Sequence, residues 1–187
     1  MSSVAIVPAA GKGERFGGAK LVALIDGTVL IDLTIRSLLD GGVDLVVVVM
    51  APGASLSESK LLDDHRVQTI VNDDPSRGMF SSIQTGLAVA EGDPVVVLPA
   101  DMPFVQSRTV ATVLDACVRQ GRLMVPVYDG RRGHPIAFPA ALREMVLRAS
   151  PDSTLKEALA SARVDRIELG VDDPGILRDV DTPADLN

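Results

Sequence analysis

An α/β fold built on a mostly parallel central sheet is predicted by three observations. Val4-Ala5-Ile6-Val7 is an apolar run without polar alternation, which suits a strand buried on both faces of a sheet. Apolar runs and helical patterns then alternate at short intervals, the order in which α/β units are strung together. Straight after the first run comes Ala9-Ala10-Gly11-Lys12-Gly13-Glu14-Arg15-Phe16-Gly17-Gly18-Ala19-Lys20, a glycine-rich loop that leaves the strand end and closes on a cation. With 187 residues, 47% of them hydrophobic, the chain is expected to form a single domain over residues 1–187 with a sizeable core.

The first strand should be central. In the loop, Gly11, Gly13, Gly17 and Gly18 let backbone N–H groups close in on an anion, and Arg15 and Lys20 add fixed positive charge. A dinucleotide fingerprint has similar glycines, but its loop runs directly into a helix, whereas this one continues through Lys20 into Leu21-Val22-Ala23-Leu24-Ile25. The Gly-Lys-Ser/Thr of a Walker loop is absent. Asp26-Gly27 makes a small turn, and residues 30–39 have helical spacing ended by Gly41-Gly42. A second buried strand covers Leu45–Met50, a modest polar helix Ser55–Asp63, and a third strand Val67–Val71, which completes half of a doubly wound sheet. Residues 72–87 are turn-rich and then helical. Gly78, Ser81 and Ser82 stand at that helix start, where free N–H donors invite either a cap or a ligand.

The next informative stretch, Pro94–Phe104, is a buried strand that delivers Asp101 at its carboxyl end. Ligands of open α/β sheets bind outside the carboxyl ends of the strands, so Asp101 and the glycine loop should share one rim. A carboxylate beside a triphosphate needs a hard cation between them, and Mg²⁺ takes one or two carboxylates plus phosphate oxygens; the plainer alternative is a turn-forming Asp before Met102-Pro103. Ser107–Gln120 reads as a helix capped by Ser107, with Cys117 a buried structural thiol. Leu123–Tyr128 and Ile136–Phe138 flank Asp129–Pro135, a hairpin with a cationic tip. Pro139–Ala149 and Ser153–Ala160 read as helices, with the loop after Ser150 a candidate lid. Arg163–Leu169 reads as a strand exposed on one face, and Pro183 as the start of a short helix capped by Asp181 or Thr182.

A net charge of −7 argues against general nucleic-acid binding. No apolar run reaches the roughly 18 residues of a membrane span and no signal segment is visible, so a cytoplasmic location without membrane association is expected. One cysteine and two histidines leave little material for a zinc site.

Three strings together carry a family resemblance: Ala9-Ala10-Gly11-x-Gly13-x-Arg15-Phe16-Gly17-Gly18-x-Lys20, Leu98-Pro99-Ala100-Asp101-Met102-Pro103, and Asp179-Val180-Asp181-Thr182-Pro183-Ala184-Asp185-Leu186. They resemble the MobA/MocA-like nucleotidyltransferases, closest to the molybdenum cofactor cytidylyltransferases, over nearly the whole chain. The resemblance implies a three-layer Rossmann-like sandwich of the nucleotide-diphospho-sugar-transferase type. It also implies Mg²⁺-dependent transfer of a nucleoside monophosphate from a nucleoside triphosphate to a phosphate acceptor, with pyrophosphate released.

On that resemblance Ala9, Ala10, Gly11, Gly13, Arg15, Lys20, Gly78, Ser81 and Ser82 bind the nucleotide, and Arg15, Lys20 and Asp101 are catalytic. Asp101 with Asp181 or Asp179 holds the metal. Gly130-Arg131-Arg132-Gly133-His134-Pro135 resembles the acceptor-side segment of the cytidylyl branch, which assigns Arg132 and His134 to the acceptor. Ala10 stands where the guanylyl branch usually has glycine and so favours CTP; Pro8 and Phe16 depart from the common residues. The implied acceptor is molybdopterin carrying molybdenum, and a molybdoenzyme or its maturation chaperone is a further candidate partner. Two other readings stay open. An NAD(P)- or flavin-dependent oxidoreductase would want a ribose-binding acid at the end of the second strand, where Val49-Met50-Ala51-Pro52 has none. A non-catalytic nucleotide-binding cofactor chaperone would not need both acidic motifs.

Overall fold

The computed structural model describes residues 2–11, 16, 20–150, 152–161 and 164–186. Its strands are β1 (Val4–Ala9), β2 (Leu24–Ile25), β3 (Thr28–Val29), β4 (Leu45–Met50), β5 (Val67–Val71), β6 (Val95–Val97), β7 (Leu123–Tyr128), β8 (Arg131–Arg132), β9 (Ile136–Phe138) and β10 (Arg166–Gly170). The main sheet runs in the order β10-β7-β9-β6-β1-β4-β5, with β8 paired to β7. β1 lies between β4 and β6, parallel to both, with Val4 level with Leu45 and Val95. Among the described residues of this sheet only β8 and β9 run against their neighbours, β9 being wedged antiparallel between β6 and β7. The small β2–β3 hairpin turns at Asp26-Gly27.

Three layers follow from the alternation of side chains along strands that are apolar on both faces. Ala5, Val7, Val46, Val48 and Val96 point to one side, where they meet Ile31, Ile35 and Leu38 of α1 (Leu30–Asp40) and Val110 and Val113 of α3 (Ser107–Gln120). Val4, Ile6, Val47, Val49, Val95 and Val97 point to the other. There they meet Phe80, Ile83 and Leu87 of α2 (Met79–Val89), Val146 of α4 (Arg143–Arg148), and Leu155, Ala158 and Leu159 of α5 (Leu155–Ser161). Each fully buried Val, Leu or Ile contributes roughly 1.5–3 kcal/mol, so this two-sided core is the main support of the sheet edge that carries the site.

Two local expectations change. Ser55–Asp63 is not a helix: it runs through turns to a single 3-10 turn at Leu61–Asp63. The buried Asp32 carboxylate on α1 accepts the Ser59 hydroxyl at 2.5 Å and the Lys60 N–H at 3.2 Å, and serines readily trade helical bonds for such local ones. Nor is Ser107 the cap of α3. Gln106 precedes the helix, and Asp173, far along the chain, accepts from the Gln106 N–H at 3.0 Å and the Thr109 hydroxyl at 2.7 Å. Pro139–Ala149 divides into a 3-10 turn at Ala140–Leu142 followed by α4. Among the described residues no helix is long and apolar enough to cross a membrane.

Candidate functional site

At the carboxyl ends of β1, β4 and β6 lies a cleft of about 650 Å³. Ala9, Ala10 and Gly11 form its floor where β1 ends, Ala54, Ser55 and Leu56 one wall, Gly78, Met79 and Ser82 another, and Lys20 and Asp101 the far rim. Seven residues singled out from sequence, namely Ala9, Ala10, Gly11, Lys20, Gly78, Ser82 and Asp101, are therefore brought together. Gly13 and Arg15 lie outside the described residues.

Asp101 reaches the rim because β6 continues its pairing past its last regular residue. The Leu98 N–H donates to Ile6 and the Ala100 N–H to Pro8, at 3.2 and 3.1 Å, and the Thr34 hydroxyl donates to the Ala100 carbonyl at 2.9 Å. The chain is thus fixed on both sides immediately before the acid. The C-terminal segment arrives beside it: the Val180 N–H donates to the Asp101 carbonyl at 2.9 Å, while the Val180 side chain is fully buried among Ile25 and Leu30. Upstream, a Cβ on Gly175 would collide with the Phe104 carbonyl, so only glycine lets this segment lie so close to the strand end.

Asp181 is itself oriented by Asp185, whose carboxylate accepts the N–H of Asp181 at 3.1 Å and the N–H and hydroxyl of Thr182 at 2.7 and 2.8 Å. These bonds, led by the Thr182 hydroxyl, hold the Asp185 carboxyl below its ordinary pKa. The arrangement is a capping-box variant with Thr182 and Asp185 in the paired positions, and its Thr-x-x-Asp spacing was open to view in the sequence.

Between the two acids sits Lys20. Its ammonium donates to Asp101 at 2.8 Å and to Asp181 at 3.2 Å. Burial pulls its pKa down, but the bonds and attraction of Asp101, then of Asp181, outweigh that and raise it overall. Two carboxylates that share one cation are also the donor set that a hard divalent ion takes when phosphate oxygens supply its other ligands. Among the described residues no group of three acids, histidines or cysteines gathers tightly enough to cage a metal without such help.

Gly78, with φ at +86°, turns the chain into α2 in a backbone region that side-chain-bearing residues rarely adopt. Behind it the buried Asn72 amide donates to Ser81 Oγ at 2.8 Å and Ser82 Oγ at 3.0 Å, and its carbonyl accepts the Asp74 N–H. Ser81 also donates to the Gly78 carbonyl at 2.7 Å, so its hydroxyl is spent inside the protein, whereas Ser82 borders the cleft. Asn72 was not anticipated; an Asn just after β5 reads as an ordinary turn residue.

His134 lies near Asp101 and Asp179. Burial lowers the imidazole pKa below its ordinary value against the opposing pull of those two acids. Arg132 is placed differently, on the exposed β8 strand, where it donates to Glu168 at 2.6 Å and does not border the cleft. Asp179 is exposed, one residue before the buried Val180.

Several known proteins are similar to this chain. A probable molybdenum cofactor guanylyltransferase from Methanothermobacter thermautotrophicus is 27% identical over all of this chain and 98% of that protein. A 2-C-methyl-D-erythritol 4-phosphate cytidylyltransferase from Rhodococcus opacus is 34% identical over 66% of this chain and 55% of that protein. The crystal structure of Rv0371c from Mycobacterium tuberculosis in complex with manganese superposes with a TM-score of 0.77 at 23% identity, covering 99% of this chain and 96% of that one. The sequence model of the MobA-like NTP transferase domain matches residues 5–167, and the chain belongs to that family of nucleotidyltransferases.

Proposed function

We propose that the protein transfers CMP from CTP to the phosphate of molybdopterin carrying molybdenum. In this reaction an acceptor phosphate oxygen attacks the α-phosphorus in line, the bond to the bridging oxygen of pyrophosphate breaks, and no covalent enzyme intermediate forms. The observation that carries the reading is the convergence of Asp101 and Asp181 on one cation at the rim of a cleft floored by Ala9, Ala10 and Gly11.

The residues divide the work by chemistry. Backbone N–H groups of the Ala10–Gly13 stretch, with Arg15 and Lys20, take the triphosphate, and Ser82 offers a hydroxyl to the base or ribose from beside Gly78. Asp101 with Asp181, or Asp179 as the alternate, would hold Mg²⁺, which when bound neutralises charge building on the leaving pyrophosphate. Positioning and charge neutralisation then supply most of the rate, as in other phosphoryl-group transfers.

His134 and Arg132 are assigned to the acceptor side. A phosphate monoester has a second pKa near ~6 and is already ionised at neutral pH, so it asks for hydrogen bonds and charge rather than a strong base. His134, whose imidazole burial pushes below its ordinary pKa, fits the first need. A molybdoenzyme or its maturation chaperone would then receive the product.

Ala10, buried in the cleft lining, supports CTP because a side chain there narrows the space open to a base. A second reading, GTP as donor, is favoured by the guanylyltransferase that aligns along the entire chain. Pyrophosphate release from CTP and from GTP, each with molybdopterin with and without molybdenum, tests the assignment. Faster release from CTP is expected; faster release from GTP moves the chain to the guanylyl branch, and no release with either removes the acceptor.

A further inference from the structure

Lys20 holds one oxygen of each carboxylate that the proposed metal would need. Its ammonium nitrogen is 2.8 Å from Asp101 Oδ2 and 3.2 Å from Asp181 Oδ1, so a divalent ion entering between the two acids meets the repulsion of that ammonium and competes with it for one oxygen of each. The Lys20 side chain is only 11% exposed, whereas Asp101 and Asp181 are 30% and 47% exposed, so the acids are open to solvent and the cation between them is sheltered. Pushing that ammonium aside with nothing to receive it would leave a half-buried charge without a partner, which is costly. A triphosphate alters the balance, because its oxygens offer the ammonium a new anionic partner while supplying the metal's missing ligands.

We propose that Lys20 is an internal counter-ion that keeps free divalent metal off the Asp101–Asp181 pair, so that metal is taken up only together with nucleoside triphosphate. The inference rests on the reading of the cleft as a nucleotide and metal site, and adds to it an order of assembly and the residue that imposes it. The lysine then has two successive partners, the acids before the nucleotide arrives and the phosphates afterwards.

The test is Mn²⁺ binding followed by the loss of the free-ion electron paramagnetic resonance signal, on the full chain, first without nucleotide. The wild type and Lys20→Arg are expected to bind Mn²⁺ weakly, because both keep a cation between the acids. Lys20→Met should bind it about tenfold or more tightly than the wild type, since the two neighbouring carboxylates lose the cation that lies between them. Lys20→Gln, which keeps a hydrogen-bond donor, serves in its place if the methionine variant does not fold. An unchanged or weaker Mn²⁺ affinity in the neutral variants overturns the counter-ion role, as does an arginine variant that gains as much as they do. A separate arm adds CTP or GTP to the wild type and is read against the same nucleotide and Mn²⁺ without protein, because the triphosphate itself binds the ion. If neither nucleotide tightens Mn²⁺ binding, the reading of the cleft itself fails, whatever the lysine variants do.

Discussion

The backbone N–H of Val180 donates to the carbonyl of Asp101 across 2.9 Å, tying the C-terminal segment to the end of β6. Asp179 and Asp181 flank that bond, and the fully buried Val180 side chain prevents the segment from turning over. Asp181 is therefore placed by main chain and core packing as well as by the bond of its carboxylate to Lys20.

Asp185 completes that support, and its removal should separate orientation from binding. Asp185→Ala frees the N–H groups of Asp181 and Thr182. Isothermal titration should show metal-dependent nucleotide affinity falling about tenfold, with metal-free affinity unchanged, as is usual when a residue that orients a metal ligand is lost. The pH response has a definite sign. Because the folded pKa of Asp185 lies below its unfolded value of 3.8, its contribution to stability is full above that pH and is lost as pH falls through the folded value.

The two serines at the start of α2 should behave differently in paired thermal and titration measurements. Ser81→Ala removes a hydroxyl bonded to both Asn72 and the Gly78 carbonyl, at a cost of about 1 kcal/mol or a melting temperature lower by about 2–4 °C. Ser82→Ala should instead raise the nucleotide dissociation constant by roughly two- to tenfold, with less effect on stability. The reverse pattern would exchange their roles.

Cys117 offers a measurement away from the site. Burial, with a smaller push from Asp93, raises its thiol from an ordinary 9.0 to about 12, and the thiol donates to the Arg122 carbonyl. It should resist alkylation in the folded protein. A raised folded pKa means stability that is intact below pH 9 and declines between 9 and about 12, by roughly 1.4 kcal/mol per pH unit from this group. Urea unfolding of the wild type against Cys117→Ala should show that extra slope in the wild type alone.

What the sequence could disclose follows range. β1, its loop and the Asp101 strand end are written in contiguous residues, and both flanks of the rim followed from the rule that ligands bind beyond the carboxyl ends of strands. The lack of an acid after Met50 spoke against a dinucleotide cofactor, and membership of the NTP transferase family agrees with that. Long-range partners were hidden. Asp32 overrode the helical pattern of Ser55–Asp63, Asp173 took over the capping of α3, and Asn72 bound both serines, each by a bond with no counterpart in local periodicity. The antiparallel pairing of β9 with β7 was legible as a hairpin, but its pairing with β6 was not, since an apolar three-residue strand does not show which further strand it joins.

The central claim, a nucleotide held with a metal at Asp101, is tested most directly by thermal shifts of the wild type and Asp101→Asn with CTP, with and without Mg²⁺. Ligand at ~100 times its dissociation constant stabilises by roughly 2.7 kcal/mol, which is easily seen in a chain of this size. The wild type should shift with CTP and shift further when Mg²⁺ is added. Asp101→Asn, which keeps the size of the side chain and removes its charge, should melt unliganded close to the wild type, shift with CTP alone, and lose the Mg²⁺-dependent increment. An increment that survives intact in Asp101→Asn, or a wild type that shifts with NADP and with no nucleoside triphosphate, would contradict the account.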